Sequence, residues 1–241
     1  MNRLLFLFII PFACSCASLK PTGTPFEVKY NGALRNMMHE GDISAKVDLN
    51  DFRNTKHFYA LGALENLKGE ILILDSKPMI TSVQNDQLSF SHSFDQRATL
   101  LVYASVKKWS SFNVPDQVKS YTELEAFIEQ TAIAHGINPE EPFPFLITGM
   151  AKSFDWHVID WPEGDTEHTH EKHIQSGLHG RISNQAVEIL GFYSRHHHAI
   201  FTHHSTNMHM HFKTSDNTLA GHVDDLVGGK SLTLRLPFLP L

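Results

Sequence analysis

The most restrictive feature of this chain is a short run, between Met208 and Phe212, in which histidines alternate with apolar residues. Alternation with a period of two is typical of a β-strand, where side chains at i and i+2 point to the same face. His209 and His211 are therefore predicted to share one face of a strand, opposite its apolar side chains.

The polar segment that follows this run predicts a hairpin. A tight turn centred on Asp216 and Asn217 folds the next strand back antiparallel. His222 then lies directly opposite His211, because both are equidistant from the centre of the turn. Paired residues of this kind have Cβ atoms about 5 Å apart.

Three imidazoles on one face of a hairpin can take three corners of a tetrahedron. The fourth corner stays open, which is the plan of a catalytic rather than a structural zinc site. We therefore predict that His209, His211 and His222 bind Zn²⁺. An alternative is open, because 12 of the 17 histidines lie between His168 and His222, and a His-rich tract can also bind metal loosely at the surface.

Several segments resemble, in order, those of the bacterial α-acetolactate decarboxylase family. The hairpin from Met208 to Val223 resembles the zinc-binding hairpin of that family, and it is the most specific match. The looser matches are Gly32–Leu34 with Glu40–Asp42, Tyr59–Asp75, Gly191–Tyr193 and Leu234–Pro237. The resemblance spans roughly Phe26 to Pro237.

The resemblance implies a catalytic glutamate, because the Gly69-Glu70 dipeptide matches one that places a glutamate near the zinc. Glu70 is therefore the expected catalytic residue, with a solvated glutamate at the start of a strand as the alternative. Glu65 lies in a turn-like setting and is expected at the surface.

The resemblance also implies a reaction. It is the zinc-dependent decarboxylation of a small 2-hydroxy-3-oxo acid, 2-acetolactate to acetoin and carbon dioxide, in which the metal stabilises the enediolate and no organic cofactor is needed. The expected partner is a small-molecule substrate, and a homodimer is left open.

Two departures from the family favour a second hypothesis. The family has an arginine on a strand that corresponds to residues 154–161, which contain none, and Arg181 and Arg195 are poor replacements. The glutamate on the family's C-terminal extension has no expected counterpart either. The alternative function is therefore a divergent exported lipoprotein that keeps the fold and the zinc site and binds metal or a small oxo-acid without decarboxylating it.

The first 17 residues predict an export signal, in which a short positive start precedes the apolar run Leu4–Phe12. This run is too short to span a bilayer. Small residues precede Cys16, which predicts a lipidated cysteine and a periplasmic or cell-surface lipoprotein. Cys14 is a poorer candidate, since Phe12 is bulky. Simple secretion after cleavage at Ala17 is the alternative.

The rest of the chain predicts an α+β fold without disulfides. A tether at residues 18–25 is followed by a mixed-sheet part with helices at 26–150 and by a mainly antiparallel part with the metal hairpin at 151–241. Helices are predicted at 28–38 and 122–134, strands at 71–74, 99–106 and 145–150, and an exposed His-rich loop at 162–180. The net charge of −6 without a basic stripe argues against nucleic-acid binding.

Overall fold

The computed structural model describes residues 25–240. The export signal and Cys16, as well as the tether apart from Pro25, were predicted on residues outside that range. No helix within the described range is long and apolar enough to cross a bilayer.

The first sheet is formed by strands from the first half of the chain. They are β1 (Lys29–Asn31), β2 (Val47–Asp48), β3 (Phe58–Leu64), β4 (Glu70–Leu74), β5 (Lys77–Gln84), β6 (Gln87–Ser91) and β7 (Arg97–Ser105). The order is β1-β7-β3-β4-β5-β6, and β2 also pairs with β7. The α+β prediction is confirmed. The pairings described for this sheet are antiparallel rather than mixed, because short links join β3 to β6, whereas parallel neighbours need long crossovers.

The second sheet contains the two longest strands of the described range. Its members are β8 (Trp109–Asn113), β9 (Phe143–Val158), β10 (Leu178–Tyr193), β11 (Met208–Thr214), β12 (Ala220–Val227) and β13 (Thr233–Pro237). The order is β10-β11-β12-β9-β13-β8, and β10 also pairs with β9. β9, β10, β11 and β12 therefore pair in a closed circuit, so the β11–β12 hairpin is held at both edges.

In the described part of the chain, three α-helices accompany the sheets: α1 (Leu34–Glu40), α2 (Tyr121–Ala134) and α3 (His170–Gln175). Short 3₁₀ turns occur at Leu49–Phe52 and Glu65–Leu67. The helix predicted at 28–38 starts only at Leu34, because residues 29–31 pair with β7 instead.

The predicted helix at 122–134 is confirmed as α2. Ser120 and Glu123 form a capping box at its N-terminus, which satisfies two otherwise unpaired backbone N–H groups. Leu124, Ile128 and Ala132 are buried on one face at a spacing of four residues.

The two sheets share a hydrophobic core. It includes Leu61 and Leu72 from the first sheet and Phe145, Phe192 and Phe212 from the second. Full burial of such a side chain contributes about 1.5–3 kcal/mol, so the contact between the sheets is a main source of stability. The predicted division between residues 150 and 151 falls within β9.

Candidate metal centre

The β11–β12 hairpin brings the three predicted histidine ligands together. His211 pairs with His222 across the two strands, so the predicted register is confirmed. Gly221 allows the close approach of β12 to β9, since a Cβ atom there would lie 2.5 Å from the carbonyl oxygen of His157. His222, the next residue, therefore lies opposite His157 of β9.

The separations of the imidazole nitrogens suit one metal ion. Nε2 of His211 lies 3.2 Å from Nε2 of His209 and 3.3 Å from Nδ1 of His222. Metal–nitrogen bonds of about 2.0–2.1 Å in a tetrahedron place ligand nitrogens about 3.3 Å apart. The three ligand atoms lie within 4.8 Å of one another, so these residues fit a divalent transition-metal ion such as zinc.

Burial keeps the three imidazoles neutral. It lowers the pKa of His209 to about 4 and holds the pKa of His211 and His222 well below the ordinary value, and a charge on any neighbouring imidazole lowers each pKa further. Nδ1 of His211 donates a hydrogen bond to the carbonyl oxygen of Ile71 at 2.9 Å. This bond fixes the tautomer and leaves the Nε2 lone pair free for a metal.

Glu70 lies beside the three histidines at the start of β4. The preceding Gly69 is required, because its φ is 145° and a Cβ atom there would lie 2.2 Å from the carbonyl oxygen of Thr81. Glu70 is 5% exposed, and its Oε2 lies 3.6 Å from Nε2 of His211. The Gly-Glu dipeptide thus turns the carboxyl group into the site.

The environment of Glu70 favours its protonated form. Burial raises the pKa of Glu70 to about 7, although the charge of His157 and a hydrogen bond from the backbone N–H of Ile159 both oppose the shift. That N–H donates to Oε1 of Glu70 at 3.2 Å. A carboxyl group with such a pKa can both release and accept a proton near neutral pH.

His157 and Asp224 complete the polar part of the site. Nδ1 of His157 lies 2.8 Å and 2.9 Å from the two carboxylate oxygens of Asp224, and Nε2 lies 3.8 Å from Oε1 of Glu70. Burial on its own lowers the pKa of His157, but the hydrogen bond and charge of Asp224, together with Glu70, raise it above its ordinary value.

Neither His157 nor Asp224 was identified from the sequence. The stretch 154–161 was considered only for its lack of arginine, yet its His157 points toward Glu70. The sequence offered one signal, because Asp224 lies two residues after His222 and a regular strand would place both on the same face. The strand is irregular between Val223 and Asp225, however, and this irregularity is not visible in the sequence.

A cavity of about 410 Å³ between the sheets is lined by Glu70, His157, His209, His222 and Asp224. Its other walls are mostly apolar, and they include Leu34 and Met37 of α1, Phe201 before the hairpin and Met208 at the start of β11. None of the described residues that line the cavity is a lysine or an arginine. The polar side chains that a bound anion would meet are imidazoles, hydroxyl groups and the carboxyl groups of Glu70 and Asp224.

The predicted exposed loop at 162–180 is wrong in its central part. The segment contains α3, and His168 is buried. The His168 ring stacks on Trp161 with ring centroids 4.3 Å apart, and its Nδ1 lies 2.9 Å from Nε2 of His173. Because Trp161 offers a large apolar face, the segment folds back over the cavity, which His170 and His173 line.

The other candidate residues lie away from the cavity lining. Arg181 pairs with Asp155 at 2.6 Å, and Arg195 pairs with Glu129 and Glu140. Glu65 pairs with Arg97 at 2.6 Å. Neither Arg181 nor Arg195 is positioned to replace the arginine that the resemblance implies.

Comparisons with known proteins extend the fold assignment. No protein-family model and no curated protein matches the chain. Among solved structures, α-acetolactate decarboxylase from Bacillus subtilis strain 168 is similar with a TM-score of 0.68 at 12% identity, covering 88% of this chain and 86% of that one. Acetolactate decarboxylase from Bacillus subtilis subspecies spizizenii gives 0.70 at 13% identity, with coverage of 89% and 87%.

A third similar structure is a Staphylococcus aureus protein of unknown function, described as similar to α-acetolactate decarboxylase. It gives a TM-score of 0.67 at 15% identity, covering 88% of this chain and 85% of that one. The three likenesses span nearly the whole described range at low identity. The chain therefore has the fold of the α-acetolactate decarboxylases.

Proposed function

We propose that this protein is a metal-dependent decarboxylase of a small 2-hydroxy-3-oxo acid, with 2-acetolactate as the substrate and acetoin and carbon dioxide as the products. The observation that carries the proposal is the position of the buried Glu70 carboxyl group, whose Oε2 lies 3.6 Å from Nε2 of His211. A proton-transfer group therefore adjoins three neutral metal ligands inside a cavity large enough for the substrate.

The histidines supply the ligand set. Nε2 of His209, Nε2 of His211 and Nδ1 of His222 would hold the ion. When bound there, zinc supplies Lewis-acid stabilisation of negative charge on the substrate's oxygens. Neutral imidazoles leave the full charge of the ion available for this purpose.

Glu70 supplies the proton. When the bond to the carboxylate carbon breaks, the electron pair passes into the adjacent carbonyl group, and the carbon that has lost carbon dioxide must take up a proton. Protonated Glu70 delivers it and is reprotonated from solvent, so the reaction consumes one proton in total. The raised pKa of Glu70, about 7, keeps the proton available at neutral pH.

His157 and Asp224 position Glu70. The two Asp224 oxygens hold Nδ1 of His157, which directs Nε2 toward Oε1 of Glu70 at 3.8 Å. The backbone N–H of Ile159 donates a hydrogen bond to the same oxygen. The carboxyl group is therefore held in one orientation before the substrate arrives.

The alternative is a protein that keeps this fold and binds metal or a small oxo-acid without decarboxylating it. The cavity lining favours this alternative at one point, because no described lining residue is a lysine or an arginine that would grip a substrate carboxylate.

The deciding experiment is acetoin formation from racemic 2-acetolactate by the untagged protein, loaded with zinc and then stripped with a chelator. We expect acetoin from the loaded protein and none from the stripped protein, with activity restored on adding zinc. In the same assay, Glu65→Gln is the matched control for Glu70→Gln, since Glu65 pairs with Arg97 away from the cavity. If zinc binds stoichiometrically but no acetoin forms, the binding alternative replaces the enzyme.

A further inference from the structure

The histidines that line the mouth of the cavity differ in what holds them. His168 and His173 bond to each other, and both pack on Trp161, so they have a structural role in anchoring α3. His170 and His203 also line the cavity, but neither has such a role. Their imidazoles meet across the mouth with ring centroids 4.5 Å apart.

Both imidazoles have free nitrogen atoms. No hydrogen bond within the described range reaches the His170 ring, and the one described for the His203 ring joins Nδ1 to Oγ of Ser205 at 2.8 Å. When Nδ1 donates to Ser205, the lone pair of His203 lies on Nε2. Hydrogen bonding of one ring nitrogen is the usual way in which a metal-binding histidine is oriented through its other nitrogen.

The elements that carry the two rings are fixed. α3 is capped by Thr169, whose side chain accepts a hydrogen bond from the backbone N–H of Lys172. The loop that carries His203 is tied to α2 through Glu125, which bonds to Thr206 and Asn207. The fold therefore fixes the backbone positions from which the two rings approach each other.

The ring spacing resembles that of the metal centre itself. The centroids of the His209, His211 and His222 rings lie 5.0–5.2 Å apart, compared with 4.5 Å for His170 and His203. Two imidazoles at this spacing can bind one ion whose remaining positions are taken by water. With two protein ligands instead of three, such a site holds metal less tightly.

We infer that His170 and His203 form a second, exchangeable site for a divalent transition-metal ion at the mouth of the cavity. An ion held there is exposed to solvent on one side and faces the inner three-histidine centre on the other. The inference goes beyond the proposed function, since it holds whether or not the protein forms acetoin.

The test is a titration of untagged, metal-free protein with Zn²⁺ in competition with a chromophoric chelator. We expect two ions per chain, the second bound roughly tenfold or more weakly than the first because it has fewer protein ligands. His170→Ala with His203→Ala removes the weaker ion and keeps the tight one. His209→Ala with His211→Ala has the reverse effect.

The matched control is His196→Ala with His198→Ala, since both side chains are exposed and neither lines the cavity. This control should bind two ions with unchanged affinities. The inference is overturned if the His170/His203 variant keeps the weaker ion, or if the control loses it. If the alanine variant has a lowered melting temperature, His170→Gln with His203→Gln is measured instead. This variant must also lose the weaker ion.

Discussion

At the scale of single residues, Glu70 can be changed in charge without a change in shape. Glu70→Gln is expected to leave zinc bound, because the three imidazoles are sufficient as protein ligands. The amide cannot deliver and recover a proton at neutral pH, so acetoin formation should fall by about a hundredfold or more. The measurement is kcat together with zinc content. Activity retained in Glu70→Gln would make Glu70 a structural residue of β4.

The placement of Glu70 was predictable, whereas its partners were not. The Gly69-Glu70 dipeptide is a local signal, and the structure places its carboxyl group beside His211 as expected. His157 and Asp224 are 67 residues apart in the sequence and meet only because β12 pairs with β9. A contact between strands distant in sequence leaves no local pattern, and the register shift next to Asp224 hides the usual alternation of strand residues.

At the scale of elements, the β11–β12 hairpin as a unit is expected to hold the metal. We expect about one tightly bound zinc per chain, lost when His209, His211 and His222 are all replaced by alanine. Metal analysis of untagged protein gives the answer. Stoichiometric zinc in the triple variant would move the tight site to the histidines between His168 and His204.

Close contact between β12 and β9 is a second requirement of the hairpin. Gly221→Ala places a Cβ atom 2.5 Å from the carbonyl oxygen of His157, so the strands must separate. We expect a loss of about 1–3 kcal/mol of unfolding free energy and weaker zinc binding, because His222 moves with the strand. Gly180→Ala is the control, since its Cβ atom would make ordinary contacts of 3.5 Å or more with Trp156. Equal effects of the two substitutions would contradict this account.

Elements with a clear period were predicted well, and short ones were not. Apolar residues recur with a period of two in the hairpin and of about four in α2, because each element buries one face. These patterns can be read directly from the sequence. α3 has only six residues, too few to show a helical pattern, and its polar sequence resembles a loop. Its position depends on the packing of His168 against Trp161, which is a tertiary contact.

At the scale of the whole molecule, we propose that the protein is attached to a membrane by a lipid at Cys16. Cys16→Ala should abolish lipid labelling and release the protein from the membrane fraction, while Cys14→Ala should leave both unchanged. The reason is the run of small residues before Cys16, compared with the bulky Phe12 two positions before Cys14. Membrane attachment that persists in Cys16→Ala would point to Cys14 or to an uncleaved anchor.

The buried site also makes the stability of the whole molecule depend on pH, and its groups act in opposite directions. Burial lowers the pKa of His209 to about 4, so the unfolded chain binds more protons than the folded one between that value and the ordinary one near 6.5. The metal-free protein should therefore lose stability as the pH falls through this range, and His211 and His222 act in the same direction. Glu70 opposes them, because its raised pKa favours the folded state at low pH, and this contribution is lost as the pH rises toward about 7. His157, whose pKa is also raised, acts in the same direction as Glu70.

The two contributions can be separated by melting temperatures measured in the presence of a chelator between about pH 4 and about pH 7. His209→Ala should flatten the rise of stability with pH, because one group that binds protons only in the unfolded chain is gone. Glu70→Gln should make the same rise steeper, because one opposing group is gone. The three histidines with lowered pKa values outnumber Glu70 and His157, so the wild-type curve should rise overall. Parallel curves for the wild type and both variants would show that these side chains titrate alike in the folded and unfolded chains, and that the site is not buried as described.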